Sequence, residues 1–457
     1  MNDLFKRLMP LCLVLLTLVG CSSGSEETDA PALSVFGVTV SGMNGRSNPE
    51  GVALNTTISI NFSSALKRSA FESALSITDP NGAVPFEVSY SNAAATANIT
   101  LNDLAPMAEH QFELRTGSLG EKGERLQEAL TFRFTTVADN SFSACTSGTA
   151  ACLRSFSIDA NGTGHGFQFY SNYDVTGDPE QVWAGIKNLI VVVHGQNRDA
   201  DNYFRIMNQT ITGTALEGKT LVIAPYFKDD AAAGGDELFW GSSWRFGANA
   251  SNAGTSVSSF AVIDALINEF TGDTRFPDMA NVMVTGHSSG ASFTHYYALS
   301  SEVAAQHPGL NFGYSVLNSQ YFFYPTGQRF DESNGSWSTP ANCGGYTSWP
   351  YGYDYAPAYL DGVEKNEVVQ RLSAVNMTLF HGENDTSTTG TLNTDDCAAV
   401  LLGSNRLERG KNYNNYLNTY FSGNHTELIT VPNAAHDAGA MYGSSAFISY
   451  LEGVISN

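Results

Sequence analysis

Ser288 is the residue whose surroundings in this sequence best suit a nucleophile. It lies in a Gly-His-Ser-Ser-Gly motif at residues 286–290, where the flanking glycines leave room for a sharp turn. An apolar run at residues 282–285 leads into the turn, and a helical stretch follows it. Such a turn projects the hydroxyl away from a sheet and directs a helix N-terminus towards negative charge, which is what acyl transfer requires.

The motif is short, and it occurs a second time as Gly-Cys-Ser-Ser-Gly at residues 20–24. Only the copy at residues 286–290 follows a buried strand and opens a helix. Context therefore selects Ser288.

A serine needs a base, and the base needs an acid that orients it. In the strand order typical of this motif the acid follows a later strand, here residues 377–380. Asp385 is the favoured acid. Glu383, Asp395 and Asp396 are the alternatives.

The base is expected after the last strand, near the C-terminus, where His436 follows the apolar stretch 429–431. His425 precedes that strand and is interpreted as a surface residue. His381 is interpreted as a structural strand-end residue, and His287 as a residue that packs locally.

Two backbone N–H groups are needed to stabilise an oxyanion. Ser289, the residue after the nucleophile, supplies one in this prediction. The loop after residues 189–193 supplies the other, with Gln196 preferred over Asn197.

Residues 153–457 resemble a group of bacterial and fungal α/β-hydrolases akin to carboxylesterases and poly(3-hydroxybutyrate) depolymerase-like enzymes. The matching stretches are residues 194–204, 239–244, 286–290, 405–410 and 435–437. The resemblance implies an α/β-hydrolase fold and ester hydrolysis without a metal or an organic cofactor. Ser289 departs from the alanine frequent in this group, but its contribution there is a backbone N–H.

Residues 34–137 are predicted to form an all-β domain, since short runs alternate apolar and polar residues between turn signals. About seven strands in about 100 residues fit a β-sandwich. The segment resembles bacterial Ig-like domains of the SbsA type, through residues 51–58, 60–63 and 132–136. A spacer role is favoured over a binding module. The predicted strands are residues 35–40, 57–62, 86–90, 97–101, 110–116 and 130–136.

Residues 138–152 are predicted to be a linker, and residues 153–457 a catalytic α/β domain with a mostly parallel sheet. Continuous apolar runs, as in strands buried on both faces, mark most of its strands. The predicted strands are residues 189–193, 220–224, 281–285, 312–317, 377–380 and 425–431, with helices at 256–270 and 289–305.

The N-terminus has the features of a lipoprotein signal peptide, predicted to cover residues 1–20. Lys6 and Arg7 precede a short apolar run that ends in Leu-Val-Gly-Cys, which resembles a lipobox with Cys21 as the lipidated residue. Residues 21–33 would form a flexible tether. No Asp follows Cys21, which favours an extracytoplasmic location at the outer membrane.

Four further cysteines remain, an even number that suggests two disulfides in an oxidising compartment. Of the three possible pairings, Cys145–Cys152 with Cys343–Cys397 is favoured. The Cys and His residues are too dispersed for a zinc site. A net charge of −22 makes nucleic acid an improbable partner.

Twelve aromatic residues between positions 321 and 359 allow two interpretations, an aromatic wall over the active site or packing within an irregular loop. Trp240, Trp244 and Tyr321 are predicted as cleft residues.

The sequence thus predicts a secreted, lipid-anchored carboxylic ester hydrolase that contacts the membrane only through Cys21. A serine peptidase on the same fold and a non-catalytic surface-binding lipoprotein are the alternatives. The acyl and alcohol groups of the substrate, polymeric or small, and the oligomeric state stay open.

Overall fold

The computed structural model describes residues 31–102, 104–137, 144–254, 257–271, 274–421 and 423–455. The predicted signal peptide, the predicted lipidation site Cys21 and most of the predicted tether therefore lie outside the described residues. Two compact units are present. The second unit consists of the chain from Phe134 onward, together with the two earlier stretches Pro49–Thr56 and Asn102–His110. Within the described part of the chain, no helix is long and apolar enough to cross a membrane.

The N-terminal domain contains a five-stranded sheet of order β2-β1-β3-β7-β6, a four-stranded sheet of order β11-β8-β4-β5, and the pair β9–β10. Alternate residues of β3 are buried, including Ile58 and Ile60, as expected for a sheet with one covered face. The elements are β1 Val35–Val40, β2 Met43–Asn44, β3 Thr56–Phe62, α1 Arg68–Ala74, β4 Leu75–Asp79, β5 Gly82–Ala83, β6 Glu87–Ser91, β7 Thr96–Leu101, β8 Glu109–Leu114, β9 Gly117–Ser118, β10 Arg125–Leu126 and β11 Leu130–Thr135.

The second unit is built on an eight-stranded sheet of order β12-β13-β15-β14-β16-β17-β20-β21. Its strands are β12 Leu153–Ala160, β13 Thr163–Ser171, β14 Asn188–Val193, β15 Thr220–Pro225, β16 Asn281–His287, β17 Asn311–Leu317, β20 Met377–Gly382 and β21 Glu427–Val431, with the small hairpin β18 Arg329–Asp331 and β19 Ser336–Ser338 outside it. From β15 to β21 the neighbouring strands are parallel. This mixed sheet is consistent with the predicted fold.

Helices cover both faces of this sheet, which is why its central strands are apolar throughout. On β14, Val191 and Val193 belong to one core, whereas Ile190 and Val192 belong to the other. The helices are α2 Ala200–Ile211, α3 Ser259–Thr271, α4 Ser289–Ser300, α5 Val303–Gln306, α6 Lys365–Ala374, α7 Cys397–Val400, α8 Arg406–Tyr420, α9 Ala438–Tyr442 and α10 Ser445–Ile455.

The antiparallel edge hairpin β12–β13 was not anticipated from the sequence. Asn161 and Gly162 join its strands, and both have positive φ angles, 57° and 82°. This is the backbone of a two-residue hairpin turn, for which Asn-Gly is the strongest short signal. The dipeptide could therefore have revealed the hairpin.

Two disulfides are formed, Cys145–Cys152 and Cys343–Cys397, the pairing that the sequence favours. The second joins the irregular segment after β17 to the short helix α7.

Candidate active site

The chain turns sharply between β16 and α4, and the two glycines of the motif make room for this turn. Ser288 has φ 60° and ψ −117°, a strained combination for a residue with a side chain. A Cβ added to Gly286 would lie 2.2 Å from the carbonyl carbon of Gly290, and one added to Gly290 would lie 2.1 Å from the carbonyl oxygen of Val193. Both contacts are with backbone, so only glycine fits at either position.

The structure brings Ser288, His436 and Asp385 into one hydrogen-bonded chain. His436 Nε2 lies 2.9 Å from Ser288 Oγ, and His436 Nδ1 lies 2.8 Å from Asp385 Oδ2. The Asp385 side chain is 1% exposed and that of His436 is 25% exposed. An acid buried behind a more accessible imidazole is the arrangement in which the imidazole takes a proton from the hydroxyl.

Strand register explains why residues so distant in sequence meet. In the central parallel strands Val193 pairs with Gly286, and Gly382 pairs with Val431. The carboxyl ends of these strands therefore share one edge of the sheet, where loops commonly form ligand sites.

The alternative acids have other partners. Glu383 Oε2 accepts from the backbone N–H of Asn433 at 3.1 Å, and Asp396 caps α7 by accepting from Ala398 at 3.0 Å. Asp395 is exposed. Of the four acidic residues considered from the sequence, Asp385 is the one hydrogen-bonded to His436.

A buried cation lies beside Asp385. Arg406 Nη1 lies 3.8 Å from Asp385 Oδ1, and the two side chains are 3% and 1% exposed. Arg406 also donates to Thr391 Oγ1 at 2.8 Å. Arg406 and His436 thus approach the two different oxygens of the same carboxyl group.

His287 packs beneath the site, as interpreted from the sequence. Its Nδ1 lies 3.1 Å from the hydroxyl of Tyr203, and its Nε2 lies 3.3 Å from Asn318 Nδ2. Burial lowers the pKa of His287 well below its ordinary value, so the ring stays neutral. His381 is also buried, and His425 is exposed.

Asn318 is a site residue that sequence reasoning missed. It follows β17 with a φ of 54°, accepts from the N–H of Gly382 at 2.8 Å, and donates to the carbonyl of Ala435 at 3.0 Å. It thereby ties together the loops that bear Asp385 and His436. The contacts with Gly382 and Ala435 span 64 and 117 residues, so no local sequence pattern predicts them.

The loop after β14 is held by His194. Its Nδ1 lies 2.8 Å from the carbonyl of Gly195, and its Nε2 accepts from the N–H of Phe227 at 3.1 Å. Burial lowers the pKa of His194 to about 4, so it remains a neutral structural group. Gln196 follows in this loop.

A cavity of about 280 Å³ opens at Ser288 and His436. Gln196 and Asn197, the two candidates for the second oxyanion donor, both line it. Ser289 is the first residue of α4, so its N–H has no acceptor within the helix. The remaining lining residues are Gly195, Asp199, Asn202, Tyr203, Ile206, His287, Thr391, Asp437, Ala438 and Gly439.

The prediction of Trp240 and Trp244 as cleft residues was wrong. They are 1% and 2% exposed and pack against Phe227, with ring centroids 5.3 and 5.2 Å away. Both side chains belong to the hydrophobic core of the second unit, so they are not available to a ligand.

Tyr321 is 7% exposed, is absent from the lining of the cavity at Ser288, and accepts from Asn393 at 3.1 Å. The predicted cleft position is therefore wrong for this cavity. Neighbouring aromatic residues of the 321–359 segment pack on one another and on α8, for example Phe322 on Tyr413 at 4.6 Å. This favours the packing interpretation of the segment.

Among the described residues, no group of three or more His, Cys, Asp or Glu side chains could hold a metal ion.

Solved structures similar to this one include three hydrolases. The poly(3-hydroxybutyrate) depolymerase LpqC from Bordetella parapertussis is 19% identical, with a TM-score of 0.47, over 67% of this chain and 92% of that chain. Siderophore hydrolase EstA from Aspergillus nidulans is 14% identical, with a TM-score of 0.37, over 68% and 98%. The fluorophosphonate-binding serine hydrolase FphF from Staphylococcus aureus is 13% identical, with a TM-score of 0.36, over 67% and 98%.

A search of curated proteins found no match. Residues 37–136 match the family model described as a bacterial Ig-like domain, within one to three residues of the predicted domain limits of 34 and 137. The N-terminal domain is therefore a bacterial Ig-like domain.

Proposed function

We propose that this protein is a serine hydrolase of carboxylic esters that acts through Ser288, His436 and Asp385. The observation that carries the proposal is the continuous chain of two hydrogen bonds, 2.9 and 2.8 Å long, from Ser288 Oγ through His436 to Asp385. A hydroxyl placed on a strained turn at the mouth of a cavity has no evident structural purpose, whereas nucleophilic catalysis requires it.

In the proposed reaction Ser288 Oγ attacks the ester carbonyl carbon while His436 Nε2 takes the hydroxyl proton. Asp385 stabilises the resulting imidazolium. The backbone N–H groups of Ser289 and Gln196 bind the oxyanion of the tetrahedral intermediate. The intermediate then expels the alkoxide, which leaves as the alcohol with the proton of His436. Water, deprotonated by His436, attacks the acyl-enzyme, and the carboxylic acid departs as Ser288 recovers its proton.

The test is turnover of p-nitrophenyl acyl esters by the full-length protein in detergent, compared with Ser288→Ala. We expect the variant to keep its circular dichroism spectrum and to lose at least 10³-fold in kcat, roughly as removal of a triad member does elsewhere. Ser69→Ala is the matched control, because Ser69 is an exposed residue of helix α1 in the N-terminal domain. Undiminished turnover in Ser288→Ala would refute the assignment.

Parallel assays separate this activity from its alternatives. p-Nitroanilide peptides in place of esters would reveal a peptidase, since the amide is the harder bond to cleave. Loss of every activity, with no covalent labelling of Ser288 by a fluorophosphonate, would leave the surface-binding interpretation.

We also propose that the protein is exported and anchored through lipid on Cys21, with the Ig-like domain as a spacer. The signal-like N-terminus and the two disulfides support this location. Metabolic labelling with palmitate should be lost in Cys21→Ser. Equal labelling of variant and parent would exclude the anchor.

A further inference from the structure

Arg245 lies beside the proposed oxyanion donor. Its Nη1 donates to Ser289 Oγ at 2.8 Å, and Ser289 is the residue that follows the nucleophile. The guanidinium carbon also lies 5.7 Å from the ring centre of Tyr321. The positively charged guanidinium of Arg245 thus contacts the residue next to the proposed nucleophile Ser288.

The charge of Arg245 has no carboxylate partner among the described residues. Its side chain is partly exposed, yet its Nε is buried and makes no hydrogen bond within that part of the chain. Some other arginines direct their donors to backbone carbonyl groups, as Arg329 and Arg409 do, and others have an acidic neighbour, such as Arg371 with Glu302 and Arg406 with Asp385. In a protein with 45 acidic and 23 basic residues, an arginine without such a partner is suited to an anion from outside.

The cavity at Ser288, in contrast, has acidic residues in its lining. Asp199 and Asp437 line it, together with the amides of Gln196, Asn197 and Asn202, and among the described residues no Lys or Arg does so. Two carboxylates would repel an anionic group of a substrate. An anionic group of the substrate would therefore be attracted by Arg245 and repelled by the carboxylates of this cavity.

The turn that carries Arg245 is fixed from several directions. The carbonyl of Trp244 accepts from the Ser259 hydroxyl at 2.6 Å, and that of Phe246 accepts from Trp349 Nε1 at 2.9 Å. A donor held in this way loses little conformational freedom when a ligand arrives, which favours recognition.

We propose that the ester substrate carries a free carboxylate, and that the Arg245 guanidinium binds it while Ser288 attacks the ester carbonyl. This inference rests on the proposed hydrolase function and adds a substrate class to it, namely esters with a carboxylate in the same molecule, such as hemiesters of dicarboxylic acids. Arg245 determines specificity, and Ser289 Oγ positions it.

The test compares two esters of equal acyl length, mono-p-nitrophenyl glutarate and p-nitrophenyl valerate, with the full-length protein. The parent protein is expected to have the higher kcat/KM for the glutarate ester. Arg245→Gln should reduce the ratio of the two kcat/KM values by about 10- to 100-fold, since a charge-assisted hydrogen bond contributes that much. Arg245→Lys should restore part of the ratio. Arg46→Gln, the same change on the exposed surface of the Ig-like domain, should leave it unaltered.

Two results would overturn the proposal: a parent protein that prefers the valerate ester, or an Arg245→Gln variant that loses activity towards both esters to the same degree. The second would mean that Arg245 only supports the oxyanion. A binding experiment separates this inference from the proposed function. Monomethyl glutarate should bind Ser288→Ala at least tenfold more tightly than the double variant with Arg245→Gln, as measured by calorimetry. If the parent protein hydrolyses neither ester, the hydrolase function fails, and equal binding by the two variants would then refute the carboxylate site separately.

Discussion

Replacing His381 with leucine should make the second unit more resistant to acid. His381 is fully buried, and neither ring nitrogen has a hydrogen-bond partner among the described residues. Burial lowers its pKa to about 4, from 6.5 in an exposed setting. The unfolded chain therefore binds a proton before the folded chain does. The stability that depends on neutral His381 is complete above pH 6.5 and is lost as the pH falls from 6.5 to 4.

The size of the effect follows from these two pKa values. At pH 5 the difference in proton binding costs the folded state about 2 kcal/mol, whereas at pH 7.5 the cost is negligible because both states are then unprotonated at this residue. Leucine breaks no hydrogen bond at this position and does not titrate. Relative to the parent protein, His381→Leu should therefore gain about 2 kcal/mol of unfolding free energy between pH 7.5 and pH 5.

Urea titrations at the two pH values, followed by tryptophan fluorescence, would measure this gain. The fluorescence reports on the second unit alone, because that unit contains all five tryptophans: Trp183, Trp240, Trp244, Trp337 and Trp349. His425→Leu is the control, because it makes the same change at an exposed position. If His381→Leu differed from the parent protein by the same amount at both pH values, the assignment of a buried neutral histidine would be refuted.

Three further substitutions test other parts of the site. Asp385→Asn should lower kcat by roughly 10⁴-fold with the fold retained, because an amide cannot stabilise the imidazolium; p-nitrophenyl ester kinetics measure this. Gly290→Ala should abolish activity and lower the melting temperature, because its methyl group would lie 2.1 Å from the carbonyl oxygen of Val193. Removal of the disulfide by Cys343→Ser should cost about 4 kcal/mol of unfolding free energy, against about 2 for Cys145→Ser, because the loops span 54 and 7 residues.

Matched variants make these outcomes specific. Asp395→Asn changes the charge of an exposed residue near α7 and should keep activity, and Gly453→Ala adds a methyl group where no atom lies within 4 Å. Normal kinetics in Asp385→Asn, or an unchanged melting temperature in Gly290→Ala, would contradict the geometry. Equal losses from the two cysteine variants would contradict the loop-length argument.

Much of the fold was predictable because it depends on local patterns. The parallel strands are buried on both faces, so their continuous apolar runs located them to within a residue or two. The start of β21 is among the larger differences, since the strand begins at Glu427 where residue 425 was predicted. Once the strands were placed, their carboxyl ends identified Ser288, Asp385 and His436 as neighbours.

Features that depend on contacts between distant segments were not predictable. Trp240 and Trp244 are of a residue type that often lines a cleft. Only their packing against Phe227, which the sequence does not reveal, shows that they are buried. In the N-terminal domain, strand β4 and helix α1 were missed, although the turn at residues 79–82 marks one end of β4. Arg245 and Asn318 act through partners that no spacing rule connects to them.

The Cys343–Cys397 disulfide has a consequence for the timing of activity. It closes a covalent loop that contains β20 and Asp385, while Ser288 and His436 lie outside that loop. On the proposed route of export, the chain is made in a reducing cytosol, where this bond does not form. We therefore expect the segment that carries the acid to be secured only after translocation, so that the newly made chain would spare the esters of the cell that makes it.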